Sequence, residues 1–171
     1  MIKLVPLQDI DQVMEIIKDA KKLLATFSSQ WQDEYPTYEI MEEDIRLHHL
    51  YGRYKNDKLV AIASFIIGED PNYHVIDEGK FIYPTNARDL VIHRIAVRES
   101  FHHQKLVDEV FTYAKSYASQ KGLLSIKCDT GCLNKAMQCV LERNNFVKRG
   151  IIYIQDDLVD PRRYAYEMIL K

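Results

Sequence analysis

The first third of the chain combines a strand-like segment with a long helical pattern. Ile2 to Leu7 predicts a first strand, and Asp9 or Asp11 is expected to cap the helix that follows. Apolar residues then recur every three or four positions, which predicts an amphipathic helix with one buried face. These apolar positions are Val13, Ile16, Ile17, Ala20, Leu23, Leu24 and Phe27.

A second helix and a β-hairpin come next. The segment from Tyr38 to His48 predicts a helix, because its acidic residues come early, where the helix dipole favours negative charge. Leu50–Lys55 and Lys58–Ile67 predict two strands joined by a turn at Asn56-Asp57. The segment Gly68–Asn86 predicts a long loop, and loops of this length are often functional or mobile.

The second half interleaves strands and helices. Asp89–Val97 is apolar and β-branched, which predicts a central strand buried on both faces. The further elements predicted are the helices Gln104–Gln120 and Leu133–Arg143 and the strands Leu123–Cys128, Phe146–Gln155 and Tyr164–Leu170. A strand, a helix and a strand in succession make Asp89–Val97 and Leu123–Cys128 parallel neighbours. The order predicts an α/β fold: a mixed, mostly antiparallel central sheet with a parallel β-α-β core and helices on both faces.

Composition and charge narrow the class of protein. The chain has 171 residues, 47% of them apolar, and shows no repeat or linker, so we expect a single domain over residues 1–171. A net charge of −2 argues against a large basic face and therefore against a nucleic-acid partner. No apolar run approaches the roughly 18–20 residues of a membrane helix, and no secretory signal is visible. These features predict a cytoplasmic protein without a membrane partner.

The cysteine and histidine patterns do not indicate a metal site. Cys128, Cys132 and Cys139 are odd in number and lack zinc-site spacing, so we expect reduced thiols that act as small packing residues. His102 and His103 are adjacent, and adjacent residues rarely bind one ion together. We therefore expect no metal.

The segment from His93 to Val107 has the pattern of an anion site. A buried strand runs into a tight loop, and the loop opens a helix. The start of a helix offers unpaired backbone N–H groups and the positive end of a dipole, which suit a pyrophosphate. Many α/β folds contain this arrangement.

The same segment resembles the acetyl-CoA-binding motif of the GNAT N-acetyltransferase family. Members typically read Arg/Gln-x-x-Gly-x-Gly/Ala after a strand that ends in a hydrophobic-x-Val, and Ile95-Ala96-Val97 matches that strand end. His102 stands at the Arg/Gln position, Lys105 at the first glycine and Val107 at the second. Backbone N–H groups remain with any side chain except proline, and His102 and Lys105 add positive charge.

This resemblance implies acetyl-CoA as the co-substrate. The residues it implies for binding are Ile95, Ala96, Val97, His102, His103, Gln104, Lys105, Leu106 and Val107. Asn134 resembles the asparagine that commonly contacts the pantetheine or phosphate part, although an ordinary helix N-terminal residue is the alternative. Leu141 stands where the family often has a tyrosine that protonates the departing thiolate. Asn145 replaces the glycine that usually precedes Phe146, and asparagine is the next best residue for a left-handed turn.

Further matches extend the resemblance over nearly the whole chain, to a subgroup of bacterial members. They are Trp31–Pro36, Gly68–Tyr73, His93–Val97, Gly150–Tyr153 and Arg163–Glu167.

Acetyl transfer to an amine needs a base, an oxyanion donor and an acid. His93 is the candidate base, because an imidazole titrates near neutral pH and strand alternation places it on the face of Ile95 and Val97. A hydrogen-bonded core histidine is the alternative. In the family, a backbone N–H near Ile95 to Val97 serves the thioester oxygen. Tyr153 and Tyr73 are candidate acids or substrate contacts, with packing as the alternative.

The resemblance also implies an acceptor pocket. Its candidate lining residues are Trp31, Tyr35, Tyr73, Phe81 and Tyr83. The acidic residues nearby are Asp33, Glu34, Glu42 and Glu43. They either attract a cationic amine or form a solvated face. The implied function is acetyl transfer from acetyl-CoA to a primary amine of a small molecule or peptide. The alternative is a catalytically weakened binding or regulatory protein. Such folds often pair through edge strands, so a homodimer is one possibility, and the sequence leaves the oligomeric state open.

Overall fold

The computed structural model describes residues 1–170. Seven strands are present: β1 (Ile2–Leu4), β2 (Leu50–Lys55), β3 (Lys58–Ile67), β4 (Asp89–Val97), β5 (Ser125–Gly131), β6 (Val147–Tyr153) and β7 (Arg162–Ile169). The α-helices are α1 (Ile10–Leu24), α2 (Tyr38–Arg46), α3 (Leu106–Gln120) and α4 (Lys135–Arg143). The strands form one sheet in the order β1-β2-β3-β4-β5-β7-β6.

The sheet confirms the predicted fold class. β4 and β5 pair in parallel, with Asp89 opposite Ser125 and Val91 opposite Lys127. β1 with β2, β2 with β3, β5 with β7 and β6 with β7 pair antiparallel. The predicted β-α-β unit is therefore present within a mostly antiparallel sheet.

Element boundaries differ from the predictions where local backbone chemistry intervenes. The hairpin strands and β4 have the predicted bounds. β1 ends at Leu4 instead of Leu7, since Pro6 has no backbone donor and a 3₁₀ turn follows at Leu7–Asp9. α3 begins at Leu106 instead of Gln104, because Lys105 has a positive φ of 56° and cannot be helical.

The chain divides into two compact units. The first comprises residues 1–65 and 93–113, and the second comprises residues 66–92 and the residues from 114 onward. The single domain expected over residues 1–171 stays a prediction.

In the first unit, helices cover both faces of the strands. One apolar cluster joins α1 and α2 to Leu59 and Ile62, and a second joins Leu106 of α3 to Val60 and Ala61. The pairing of β2 with β3 shifts register between Arg53 and Tyr54. This bulge breaks the strict alternation of β3, so that Leu59 and Ile62 share one cluster while Val60 and Ala61 share the other. α1 and α2 therefore pack on one face, and the start of α3 packs on the other.

In the second unit, the long segment before β4 is fastened at several points. Asp77 exchanges two backbone hydrogen bonds with Ile151 of β6, at 2.8 and 2.9 Å. A Cβ at Gly79 would lie 1.9 Å from a backbone oxygen of β6, so glycine is required at this approach. The Glu167 carboxylate accepts the amides of Ile82 and Tyr83 at 2.8 and 3.1 Å. The predicted loop is thus tied to β6 and β7.

Within residues 1–170, no helix combines the length and the apolar character that crossing a bilayer requires.

Candidate functional site

A single residue with positive φ interrupts β4. Arg94 has a φ of 52°, which is uncommon for a non-glycine residue and rarer still inside a strand. The alternation that was expected to place His93 on the face of Ile95 and Val97 therefore does not hold across Arg94. His93 itself is half-buried. The face of the sheet on which the His93 side chain lies is therefore set by this irregularity and not by strand periodicity.

Arg94 is the centre of a hydrogen-bonded cluster within the first unit. Its Nε donates to Asp44 Oδ2 at 2.7 Å, and its Nη2 donates to Asp44 Oδ1 at 2.9 Å. Its Nη1 donates to the Tyr35 hydroxyl at 3.0 Å, and Ser64 Oγ donates to Asp44. Burial lowers the pKa of Arg94, but Tyr35 and Asp44 more than offset this and raise it on balance. Tyr35, predicted to contact the acceptor, is thus bound to β4.

The turn after β4 keeps a backbone conformation for which glycine is the default. A 3₁₀ turn over Glu99–Phe101 leads to His103 and Lys105, whose φ values are 63° and 56°. Lys105 stands at the first glycine position of the family motif. The left-handed conformation costs a non-glycine residue about 1–2 kcal/mol. Lys105 therefore adopts the conformation that glycine favours, whereas Val107, at the second glycine position, lies in α3.

The predicted phosphate-binding residues differ in exposure. His103, Gln104 and Lys105 are exposed, whereas Leu106 is buried and Val107 is half-buried. The fifteen-residue helix α3 starts directly after Lys105. The exposed part of the turn therefore coincides with the N-terminus of a long helix, where the first amides have no intrahelical partner.

His102 is turned toward the strand that precedes it. Its ring Nε2 lies 3.1 Å from the Val97 carbonyl oxygen, and its amide donates to the Glu99 carbonyl at 3.2 Å. Val97 is half-buried, and Ala96 is buried in the cluster of α1 and α2. The amide that was expected to face a phosphate at His102 is thus used within the turn.

The charges around the turn fit an anion. Lys105 is exposed at the turn, and Lys55 Nζ lies 3.3 Å from Gln104 Oε1. The first turn of α3 contains Asp108 and Glu109, but the Glu109 carboxylate accepts from Arg53 Nε at 2.5 Å. This ion pair offsets one of the two negative charges. The exposed residues of the turn and the nearby lysines therefore fit the predicted diphosphate contact, which stays a prediction.

Two aromatic residues predicted for the acceptor pocket lie in the core of the second unit. Tyr73 and Phe81 are both buried, with ring centroids 5.7 Å apart. The Tyr73 hydroxyl donates to Asp129 Oδ1 at 2.6 Å, and burial together with Asp129 raises the pKa of Tyr73 well above its ordinary value. Phe81 packs below the ammonium of Lys127, 5.2 Å from its ring. These contacts fit the packing alternative, and a substrate role stays a prediction.

The other predicted residues of the second unit lie nearer the surface. Asn134 caps α4, and its Oδ1 accepts from the Met137 amide at 3.1 Å. Tyr153 lies at the end of β6 with 40% of its surface exposed. Leu141 is 1% exposed, so an apolar core side chain stands at the position of the family's tyrosine.

Trp31 belongs to the segment between α1 and α2, as does Tyr35. It has a φ of 61° and packs against the apolar cluster of α1 and α2, and its ring lies edge-on to Tyr35 at 6.2 Å. Lys21 Nζ donates to the backbone oxygens of Asp33 and Glu34 at 3.0 and 3.1 Å. This leaves both acidic side chains exposed.

Sequence reasoning missed the charged residues inside apolar segments. Arg94 lies in the apolar strand β4, Lys127 lies in β5, and Asp44 lies on the buried face of α2 beside Met41 and Ile45. A charge on a predicted buried face must find a partner, because burying it alone is costly. That rule is the signal that would have paired Arg94 with Asp44.

Comparisons with known proteins identify the family. The model of the acetyltransferase (GNAT) family matches residues 11–146. A GNAT-family acetyltransferase from Streptococcus agalactiae 2603 is 28% identical, with a TM-score of 0.86 over 100% of this chain and 95% of that one. A putative acetyltransferase from Staphylococcus aureus Mu50 is 28% identical, with a TM-score of 0.73 over 100% and 99%. No curated protein matches the chain.

A more distant structure has the same fold. The PaiA N-acetyltransferase from Thermoplasma acidophilum, in complex with coenzyme A, is 14% identical, with a TM-score of 0.72 over 99% of this chain and 98% of that one. The match to the family model covers more than half of the chain and confirms the resemblance found in its sequence. The chain belongs to the GNAT acetyltransferase family, whose members transfer acyl groups from acetyl-CoA.

Proposed function

We propose that this acetyltransferase moves the acetyl group of acetyl-CoA to a primary amine of a small molecule or peptide. The observation that carries the proposal is the backbone of the turn before α3. His103 and Lys105, the latter at the first glycine position, have the positive φ that glycine favours, and both are exposed at the start of a fifteen-residue helix. A diphosphate bound there accepts hydrogen bonds from main-chain amides and interacts favourably with the helix dipole.

The reaction forms one carbon–nitrogen bond and breaks one carbon–sulfur bond, and one proton moves from the amine and one to the thiolate. The amine lone pair attacks the thioester carbonyl carbon, the carbon–sulfur bond breaks, and the CoA thiolate leaves. A backbone N–H near Ile95 to Val97 is assigned to the oxyanion of the intermediate. His93 is assigned to the proton lost from the amine.

Tyr153 is assigned as the acid that protonates the departing thiolate. Tyr153 is 40% exposed at the end of β6, whereas Leu141, at the usual acid position, carries no proton donor. Asn134 is assigned to a CoA contact through its side-chain NH₂ group, because its oxygen caps α4.

The acceptor is expected to be cationic before it binds. Asp33 and Glu34 have exposed carboxylates beside Trp31 and Tyr35, and carboxylates raise the local concentration of an ammonium group. Tyr35 is oriented by Arg94, which supports its assignment as an acceptor contact. Trp31 is assigned with it, whereas Tyr73 and Phe81 stay candidates for acceptor contacts from the sequence resemblance alone.

A catalytically weakened binding or regulatory protein is the second candidate. Two observations favour it: Leu141 replaces the usual acid, and the amide and ring of His102 are used within the turn. Such a protein would keep the fold and would not transfer the acetyl group, whether or not it still binds CoA.

Titration calorimetry with acetyl-CoA, followed by a thiol-release assay with a panel of primary amines, tests the proposal. We expect binding at micromolar concentration and amine-dependent thiol release. Binding without thiol release for any amine would favour the second candidate. Absence of binding at millimolar acetyl-CoA would contradict the proposal and also favour the second candidate.

A further inference from the structure

We propose that one charged face of α1 positions the phosphate-binding turn, so that Glu15, Asp19 and Lys22 act as positioning residues for acetyl-CoA. We call these three residues the α1 clamp. The inference rests on the proposed binding of acetyl-CoA by the turn, and it adds a determinant of affinity outside the family motif.

The α1 clamp is a continuous stripe on the helix. Its members are four and three residues apart, the spacing that places side chains on one helical face. Glu15 Oε2 accepts from Arg98 Nη1 at 2.7 Å. Asp19 Oδ2 accepts from the Glu99 amide at 2.8 Å. Lys22 Nζ lies 3.0 Å from both Glu99 carboxylate oxygens. All three members therefore contact Arg98 or Glu99, the two residues that follow β4.

Arg98 fixes the root of the turn to the sheet as well. Its amide donates to the Val60 carbonyl at 2.9 Å, and its Nε donates to the Leu59 carbonyl at 3.1 Å. Its Nη2 is buried and has no hydrogen-bond partner within residues 1–170. The guanidinium is thus held by the sheet through Nε and by Glu15 through Nη1.

The clamped residues determine where the turn begins. The Phe101 amide donates to the Arg98 carbonyl at 2.9 Å, and the His102 amide donates to the Glu99 carbonyl at 3.2 Å. His103 follows directly and begins the part of the turn with positive φ. A displacement of Arg98 and Glu99 is therefore passed through these two hydrogen bonds to Phe101 and His102, and along the chain to the exposed residues that follow.

The three contacts are not equal. Lys22 and Glu99 form a surface pair with side chains 69% and 57% exposed, and such pairs contribute little. The Asp19 contact is a charge-assisted bond to a backbone amide, which is stronger and directional. The Glu15 carboxylate binds a guanidinium whose side chain is only 11% exposed. We therefore expect Asp19 and Glu15 to carry most of the positioning.

Substitutions of Asp19 separate positioning from stability. Asp19→Ala removes the acceptor for the Glu99 amide, whereas Asp19→Asn keeps an oxygen at the same place. We expect Asp19→Ala to raise the Kd and KM for acetyl-CoA about fivefold to tenfold with kcat nearly unchanged, because one oriented charge-assisted contact is lost. Asp19→Asn should recover most of the affinity. Asp11→Ala, an exposed aspartate on the same helix, should leave both constants unchanged.

The measurement is titration calorimetry with acetyl-CoA together with steady-state kinetics and melting temperatures. Glu15→Gln serves as a second variant if Asp19→Ala folds poorly, since Glu15 is exposed at the surface and its loss weakens the Arg98 contact. If the wild type binds acetyl-CoA and folded Asp19→Ala has the same Kd, the α1 clamp alone is overturned. If Asp19→Ala folds poorly, an unchanged Kd in Glu15→Gln overturns the clamp instead. Absence of wild-type binding overturns the proposed function and the clamp with it.

Discussion

Arg94 and Asp44 form a bidentate ion pair that joins β4 to α2. The two bonds measure 2.7 and 2.9 Å, and the side chains are 11% and 7% exposed. The same guanidinium binds the Tyr35 hydroxyl, and Arg94 adopts a φ of 52°. The Arg94 side chain therefore connects the irregular position in β4 to Tyr35, which belongs to the segment assigned to the acceptor.

Removing one member of this pair should be costly. Asp44→Ala leaves a nearly buried guanidinium unpaired, so we expect the free energy of unfolding to fall by about 3–5 kcal/mol. Arg46→Met breaks the exposed pair with Glu42 and should change it by at most about 0.5 kcal/mol. Urea denaturation measures both values, and equal losses would contradict the assignment of the buried pair.

A second buried cluster predicts a similar loss in the other unit. Lys127 is fully buried, and its Nζ lies 2.6 Å from Asp89 Oδ1 and 3.8 Å from Glu167 Oε1. Lys127→Met leaves these carboxylates without their shared cation, so we expect a loss of about 3–5 kcal/mol in the free energy of unfolding. Lys121→Met, at an exposed position, is the matched control. A loss no larger than that of the control would show that the cluster is not needed for stability.

Tyr73 predicts a loss of stability in alkali. Burial and Asp129 raise its folded pKa well above the ordinary value of 10.0, so its contribution is complete below pH 10.0 and is lost as pH rises above it. This group alone can lower the free energy of unfolding by about 1.4 kcal/mol per pH unit there. Tyr73→Phe should therefore show a shallower decline between pH 10 and 11 than the wild type, whereas Tyr38→Phe, at an exposed position, should not. Equal slopes for wild type and Tyr73→Phe would contradict the burial of this hydroxyl.

The role assigned to His93 predicts a defect in turnover without a defect in binding. His93→Asn should lower kcat about 100-fold or more, because general base catalysis typically contributes that much. The Kd for acetyl-CoA should change little, because the phosphates bind elsewhere on the chain. His48→Asn is the matched control, at an exposed residue whose φ of 58° asparagine tolerates. Full activity in His93→Asn would assign the base to another group.

The sequence predicted the fold well because its periodicities are strong. The hairpin bounds and β4 agree with the structure, since continuous apolar runs and a turn at Asn56-Asp57 leave few other pairings. The family segment likewise located the turn at His102–Val107. Boundaries were less accurate where a single backbone angle decides them, as at Lys105 before α3.

The side-chain partners could not be predicted, because they depend on contacts far apart in sequence. Arg94 and Asp44 are fifty residues apart, and Tyr73 binds Asp129 across fifty-six. The sequence of the apolar strand β4 does not reveal the positive φ at Arg94. This φ nevertheless breaks the alternation of side chains that was used to orient His93. Burial of Phe81 equally required the tertiary structure.

Titration calorimetry of acetyl-CoA with wild type, Lys105→Gly and Lys105→Pro tests the central claim most directly. Glycine favours the φ of 56°, whereas proline is fixed near −65° and has no amide hydrogen. We predict that wild type binds, that Lys105→Gly keeps its affinity within about tenfold because only one phosphate-facing charge is lost, and that Lys105→Pro weakens binding at least about 100-fold. Equal affinities of wild type and Lys105→Pro, or no binding by the wild type, would contradict the account.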